Sequence, residues 1–289
     1  DCRSDDVYVT HGVTEALQVL FAAFLDQGDT ILAPGPHYPP YMAYPQMYGA
    51  KTVEYALDSD QGWAIDTDDI RRKMNDSVKF IVIVNPNNPT GNVAKPSTIK
   101  EVLSIARDWP NCTVIADEIY DALDFSGDQR SVASLSDEVP VVTLNGVSKV
   151  HFAPGWRIGY MAFFDPRGSL GAPRDGVERI LRSRLCASTP AQYGYLAGLE
   201  HDRLWIKERL MAIERKVELC MNRIDGIKGL SCNRPGGAFY LFPKIENPLK
   251  YGSDKKFVLD LLHEEHVLVV HGSGFSPQYG SGHFRLVAL

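Results

Sequence analysis

The chain has 289 residues, 44% of them hydrophobic, which is enough for one large domain or a large domain with a smaller partner. Its net charge of −6 comes from intermixed acidic and basic residues, with no basic block carrying interleaved aromatics, which argues against a nucleic-acid surface. No apolar run reaches membrane-spanning length, and with residues 1–6 polar no signal peptide is expected. The five cysteines are odd in number and widely spaced, so we expect a cytoplasmic protein with reduced thiols and no zinc site.

Residues 7–10 read as a short strand leading into His11-Gly12-Val13-Thr14-Glu15-Ala16-Leu17, after which apolar residues recur at helical spacing until Gly28. Gly12, Val13 and Thr14 then lie at a helix N-terminus. Free N–H groups and the positive end of the dipole make that place an anion site, although taken alone the stretch reads as an ordinary helix cap.

A strand over 30–33 runs into the aromatic, proline-rich stretch Pro34-Gly35-Pro36-His37-Tyr38-Pro39-Pro40-Tyr41. Tyr38 is placed either to lie flat against a planar ligand or to serve as a loop tyrosine. The continuous apolar strand 79–84 ends in Asn85-Pro86-Asn87-Asn88-Pro89-Thr90-Gly91, a rigid polar turn that is either a connector or a preformed site. A helix over 96–108 follows, then a strand over 113–116 ending in Asp117-Glu118-Ile119-Tyr120. Asp117 and Tyr120 thus face the rim where open α/β sheets bind ligands.

The β-branched run 141–144 predicts a buried strand, and Lys149 projects from its end into a cleft. Burial of an ammonium group lowers its pKa, and the free amine is a nucleophile able to form an imine with a carbonyl compound; the plain alternative is a surface loop lysine. Arg157 follows on a Pro-Gly turn and suits bidentate capture of a phosphate or carboxylate. An imine-forming lysine beside a phosphate-holding arginine suggests an aldehyde that carries a phosphate, and pyridoxal 5'-phosphate is the candidate. Asp117 is then the carboxylate for its pyridine nitrogen, and Asn88 and Tyr120 are donors to its ring oxygen. The recurrence of strand, polar loop and helix predicts an α/β fold with a parallel sheet covered on both faces.

Helices are expected over 174–185 and from about 191, then one long amphipathic helix over 205–223 that serves as a rod between domains. The rhythm then turns to α+β: strand 238–242, helix 253–263, strands 267–270 and 283–287. His263 and His266 fit a helix end better than a metal site. Arg285 lies between Phe284 and Leu286, where a guanidinium needs a partner. That partner is a substrate carboxylate or an internal acid.

Asn-Pro-x-Asn-Pro-Thr-Gly at 85–91, Asp-Glu-Ile-Tyr at 117–120, Ser148-Lys149, Arg157 and Phe284-Arg285-Leu286 stand in an order that resembles the pyridoxal-phosphate aminotransferases of classes I and II. The resemblance implies fold type I, a mainly parallel mixed sheet flanked by helices, plus a partial smaller α+β C-terminal domain. The expected division is a large cofactor-binding domain at 1–204, then the interdomain helix and partial small domain at 205–289. It implies that Lys149 attaches to the cofactor and acts as the acid and base, that Asp117 pairs with the pyridine nitrogen, and that Asn88 and Tyr120 hold the ring oxygen. Tyr38 stacks on the ring; Gly12, Val13, Thr14, Ser148 and Arg157 bind phosphate; Arg285, with Asn88, binds the substrate carboxylate. Within the family, residues 144–157, Ser188-Thr189-Pro190-Ala191-Gln192, and 257–263 through 271–275 resemble alanine aminotransferases of the archaeal type.

Two departures stand out. Many relatives carry a hydroxyl residue three before the lysine, where this chain has Gly146. Family members also begin ahead of Asp1 and continue past Leu289, so a chain truncated at both ends is expected. The resemblance implies a homodimer with shared sites, acting on amino-acid and 2-oxo-acid substrates, with alanine and 2-oxoglutarate the first pair. The alternatives are a carbon–sulfur β-lyase on the same fold and the effector-binding domain of a transcription regulator.

Overall fold

The computed structural model describes residues 2–201 and 204–289. In chain order the elements are β1 (Val7–Thr10), α1 (Val13–Phe24), β2 (Thr30–Gly35), α2 (Pro40–Gln46), β3 (Lys51–Asp58), β4 (Ala64–Ile65), α3 (Thr67–Lys73), β5 (Val78–Val84), α4 (Pro96–Arg107), β6 (Thr113–Asp117), β7 (Val141–Gly146) and β8 (Gly159–Phe164). There follow α5 (Gly171–Ser183), α6 (Thr189–Glu200), α7 (Leu204–Asp225), β9 (Leu230–Ser231), β10 (Tyr240–Leu241), β11 (Lys244–Ile245), α8 (Asp254–Glu265), β12 (Val270–His271) and β13 (Phe284–Val287).

The first eight strands form one sheet in the order β1-β8-β7-β6-β5-β2-β3-β4. The strands β7, β6, β5, β2 and β3 are parallel neighbours, whereas β8 runs antiparallel to both β7 and β1, and β4 antiparallel to β3. The sheet is therefore mainly parallel and mixed, as the family resemblance implies, where the strand–helix rhythm by itself points only to a parallel sheet. Residues 147–158 return the chain from β7 to β8 without a crossover α-helix, a connection that suits an antiparallel pair.

Both faces are covered. One core gathers Leu32, Ile81, Ile83, Val114 and Val141 under α3 and α4; the other gathers Ile31, Phe80, Val82, Ile115 and Leu144 under α1 and α5. Strand residues pointing to either face are apolar, as burial on both sides demands. A third core joins Ile119, Tyr120, Leu123 and Val150 to α7 (Ile206, Ile213, Val217, Met221) and to Phe239, Tyr240 and Leu241. Small antiparallel sheets, β10-β13-β12 and β11-β9, complete the C-terminal part.

Several boundaries moved. The helix expected at 174–185 starts at Gly171, and Leu185 lies outside it in left-handed backbone. The strands expected at 238–242 and 267–270 shrink to Tyr240–Leu241 and Val270–His271. The sequence reading passed over β3, because its polar residues Lys51, Thr52 and Glu54 break the apolar run. It also passed over α2, whose prolines read as loop although Pro40 sits in the first turn, where proline is tolerated.

Candidate active site

Because β1, β2, β5, β6 and β7 point the same way, the segments following them emerge along one edge of the sheet. These are Gly12–Thr14, Tyr38, Asn88, Asp117–Tyr120 and Lys149. Arg157 precedes the reversed β8 and so meets the same edge. All the residues expected at a site from the sequence are placed there, apart from Arg285, which reaches it from β13 of the C-terminal part.

Asp117 is fully enclosed. Its Oδ2 accepts the Tyr41 hydroxyl at 2.7 Å and its Oδ1 the Ile119 N–H at 3.3 Å. Burial pushes its carboxyl up to about 6, against the Tyr41 hydrogen bond, the Ile119 N–H and the charge of Lys149, all of which favour the anion. The Tyr41 hydroxyl, buried beside that acid, is held far above the ordinary phenol range and stays a donor. Tyr41 in turn meets Tyr38 edge to face, ring centres 6.3 Å apart.

Lys149, in the turn after β7, has its Nζ 5.9 Å from the Tyr120 ring centre and 6.0 Å from that of Phe239. Its pKa is lowered by burial, then by the charge of Arg285, with Asp117 opposing and Arg157 adding a little. The shift is toward the free amine, the form that attacks a carbonyl. The Tyr120 and Tyr240 hydroxyls lie 2.8 Å apart, both buried, and desolvation raises both phenols. The Arg285 guanidinium is sandwiched 4.7 Å from the ring centres of Tyr240 and Phe275, and its Nη1 donates to Asn88 Oδ1 at 2.8 Å. With its oxygen engaged in this way, the Asn88 amide nitrogen is left as a donor.

The Asn88 turn is rigid for a reason visible in the sequence: its neighbours bind their own loop. Asn87 Oδ1 accepts the Thr90 N–H and hydroxyl, and Asn85 Oδ1 accepts the Ala94 N–H. At the start of α1, Arg157 donates to the His11 carbonyl at 3.0 Å and to the Pro154 carbonyl at 2.8 Å. Gly12 caps that helix with φ of +79°, and a Cβ there would stand 2.6 Å from Arg157 Nη2. Bare backbone lets the guanidinium approach the helix start, where Val13 and Thr14 present their N–H groups. Ser148 lies half-buried in the turn beside Lys149.

The hydroxyl residue missing at 146 also has a physical reason. A Cβ on Gly146 would lie 2.6 Å from the Ile158 carbonyl oxygen and 2.7 Å from Gly159 Cα, so no side chain fits between β7 and β8.

The sequence reading did not include Tyr41, Tyr240 or Phe275. A tyrosine in the apolar stretch 238–242 was one signal, since a buried phenol needs a partner; Tyr41, one helical turn beyond Tyr38, was another. Together these groups fit pyridoxal phosphate: an amine biased toward its free form, a buried carboxylate, an amide and phenol donors, and an arginine at a bare helix start.

The family described as aminotransferase class I and II matches residues 2–288. The chain is 38% identical to the glutamate-pyruvate aminotransferase AlaA of Haemophilus influenzae, over 99% of this chain and 71% of that protein. It is 34% identical to an alanine aminotransferase of Mycobacterium tuberculosis, over 99% and 67%. The solved alanine aminotransferase of Pyrococcus furiosus superposes with a TM-score of 0.96 at 49% identity, over 99% of this chain and 72% of that one. Agreement of motif order, site chemistry and backbone over nearly every residue leads to one assignment: the chain belongs to the class I and II aminotransferases, the pyridoxal-phosphate-dependent transaminases of fold type I.

Proposed function

We propose that the protein moves the amino group of L-alanine to 2-oxoglutarate, and the reverse, in two half-reactions at the site built around Lys149. The names of its relatives support that pair, because AlaA is a glutamate-pyruvate aminotransferase and two of the proteins above are alanine aminotransferases. The carrying observation is the placement of Arg285: a guanidinium fixed by two rings and Asn88, close enough to lower the pKa of Lys149.

In this reading Lys149 holds the cofactor through its aldehyde, Asp117 keeps the pyridine nitrogen protonated, and Asn88 and Tyr120 bind the ring oxygen. Tyr38 covers the ring, and Gly12, Val13, Thr14, Ser148 and Arg157 take the phosphate. Bound pyridoxal phosphate supplies an electron sink for the bonds at the substrate's Cα. Arg285 binds the amino acid's carboxylate as a fork and thereby aims its Cα–H at Lys149. Lys149 Nζ would move that proton as the general base, a role favoured by the lowering of its pKa by burial and by the charge of Arg285. Tyr41 keeps Asp117 charged against its burial.

The proposal includes a cytoplasmic homodimer with shared sites and a division near residue 204 into cofactor-binding and smaller parts. No described helix is long and apolar enough to cross a membrane. The test is a single-turnover absorbance experiment on the cofactor-loaded protein. L-alanine is expected to convert the visible cofactor band to that of the amine form with release of pyruvate, 2-oxoglutarate to restore it, and Lys149→Ala to do neither. A band that aspartate converts but alanine does not would refute the alanine assignment.

A further inference from the structure

Outside the reacting groups, a buried histidine ties the two walls of the site together. His37 lies between the end of β2 and Tyr38, and is 2% exposed. Its Nδ1 is 2.9 Å from the Tyr38 carbonyl oxygen, and its Nε2 is 3.3 Å from Glu54 Oε1 on β3, an ion-pair distance short of hydrogen-bond alignment. The other Glu54 oxygen accepts the hydroxyl of Ser276, itself 1% exposed, at 3.0 Å. The His37 backbone N–H donates to the Phe275 carbonyl at 3.3 Å. Three residues after Ser276, Tyr279 packs its ring where a Cβ on Gly35 would sit, 2.2 Å away, and its hydroxyl is 3.4 Å from Lys73 Nζ. Residues 275–279 are thus docked onto the end of β2 and the middle of β3.

A carbonyl oxygen and a carboxylate both only accept, so both His37 ring nitrogens face acceptors. Glu54 stands between His37 and Ser276, and Ser276 is held through Glu54. The segment so anchored carries Phe275, one of the two rings that sandwich Arg285, while His37 is joined by one peptide bond to Tyr38.

We propose that His37, packed against Glu54, is a positioning residue for the substrate carboxylate: it pins Phe275 against Arg285 and so presets the guanidinium before the amino acid arrives. This rests on the assignment of Arg285 to the carboxylate made above. Pre-organising a side chain removes part of the ordering cost of binding, so its loss appears in substrate affinity more than in the rate at saturation.

The test uses the cofactor-loaded enzyme and 2-methylalanine, which has no Cα–H and therefore reports binding alone through the cofactor's absorbance. His37→Gln and Glu54→Gln are each expected to weaken 2-methylalanine about tenfold while cofactor affinity stays within about twofold. Ser276→Ala, the mildest change, is expected to weaken it about threefold, and the His37→Gln, Ser276→Ala double variant to be no weaker than His37→Gln alone, since both act through Glu54. Unchanged 2-methylalanine affinity in these variants overturns the proposal, as does an equal loss of cofactor and amino-acid affinity, which would mean general damage to the Tyr38 loop. Arg285→Lys separates the two readings: if it leaves 2-methylalanine binding intact, the carboxylate assignment fails and takes this inference with it. If it weakens binding while His37→Gln does not, only the clasp is wrong.

Discussion

Asp117 and Glu118 are adjacent, both buried, and held in opposite ways. Asp117 has a phenol donor and a nearby lysine, so its anion is kept available although burial pushes it to about 6. Removing the 2.7 Å bond in Tyr41→Phe raises the carboxyl further, so near pH 6.5 more of it is neutral and its attraction for a protonated pyridine nitrogen weakens. Cofactor affinity is expected to fall about tenfold at pH 6.5 and by less at pH 8.5, where the carboxylate is restored; titration at the two pH values checks this. Glu118 faces away from the site, accepts the Val132 N–H at 2.7 Å, and is pushed by burial from 4.5 up to about 7. Its folded-state value lies above its unfolded one, so the fold binds the proton more tightly. The stability it contributes is complete below about pH 4.5 and lost as pH rises through about 7, an effect on the order of 3 kcal/mol. Glu118→Gln keeps the acceptor and removes the titration. Urea melts of the cofactor-free protein should match the parent near pH 4.5 and show the variant more stable by up to about 3 kcal/mol at pH 8.

At the scale of elements, the phosphate end of the site depends on how closely the start of α1 meets the turn before β8. Gly12→Ala places a Cβ on Arg157 Nη2 and forces a left-handed backbone on a residue that resists it. The variant is expected to lose about 1–2 kcal/mol of stability and to bind cofactor about thirtyfold more weakly. Inorganic phosphate, competing for the cofactor-free site, should weaken in parallel; unchanged phosphate affinity would remove Gly12 and Arg157 from the cradle. The elements that build this edge were legible because their cause is local: β5, β6 and β7 are short apolar runs that stop at polar turns, and the helix after Gly12 shows its spacing. What was not legible arises between elements. Tyr41 acquires its role only when α2 folds over β6, and Tyr240 only when β10 brings a second phenol to Tyr120. The antiparallel return of β8 leaves no mark on residues 159–164 that distinguishes it from a parallel strand.

At the scale of the whole molecule, the question is whether the part after residue 204 is an independent body or an extension of the same core. The buried stripe of α7, including Ile206, Ile213, Val217 and Met221, packs on Ile119, Tyr120 and Leu123, which follow β6, and on Phe239 to Leu241. One apolar cluster thus supports Tyr120, Tyr240 and the rings around Lys149 from beneath, and draws on both sides of the expected boundary. A separate domain would instead bury its stripe within itself and share only a polar seam. Ile213 is 4% exposed and lies in the middle of that stripe. Ile213→Ala should cost about 2–5 kcal/mol by leaving a cavity that neighbouring ring systems cannot close. If the cluster welds the two parts, the loss appears as a shift of one cooperative unfolding transition seen alike by tryptophan fluorescence and far-ultraviolet dichroism. A variant whose transition splits, with the C-terminal part melting first and the large sheet unchanged, would show that α7 belongs to a body that folds apart from the site. In that case Arg285 would be delivered to Lys149 by domain closure and not by a shared core.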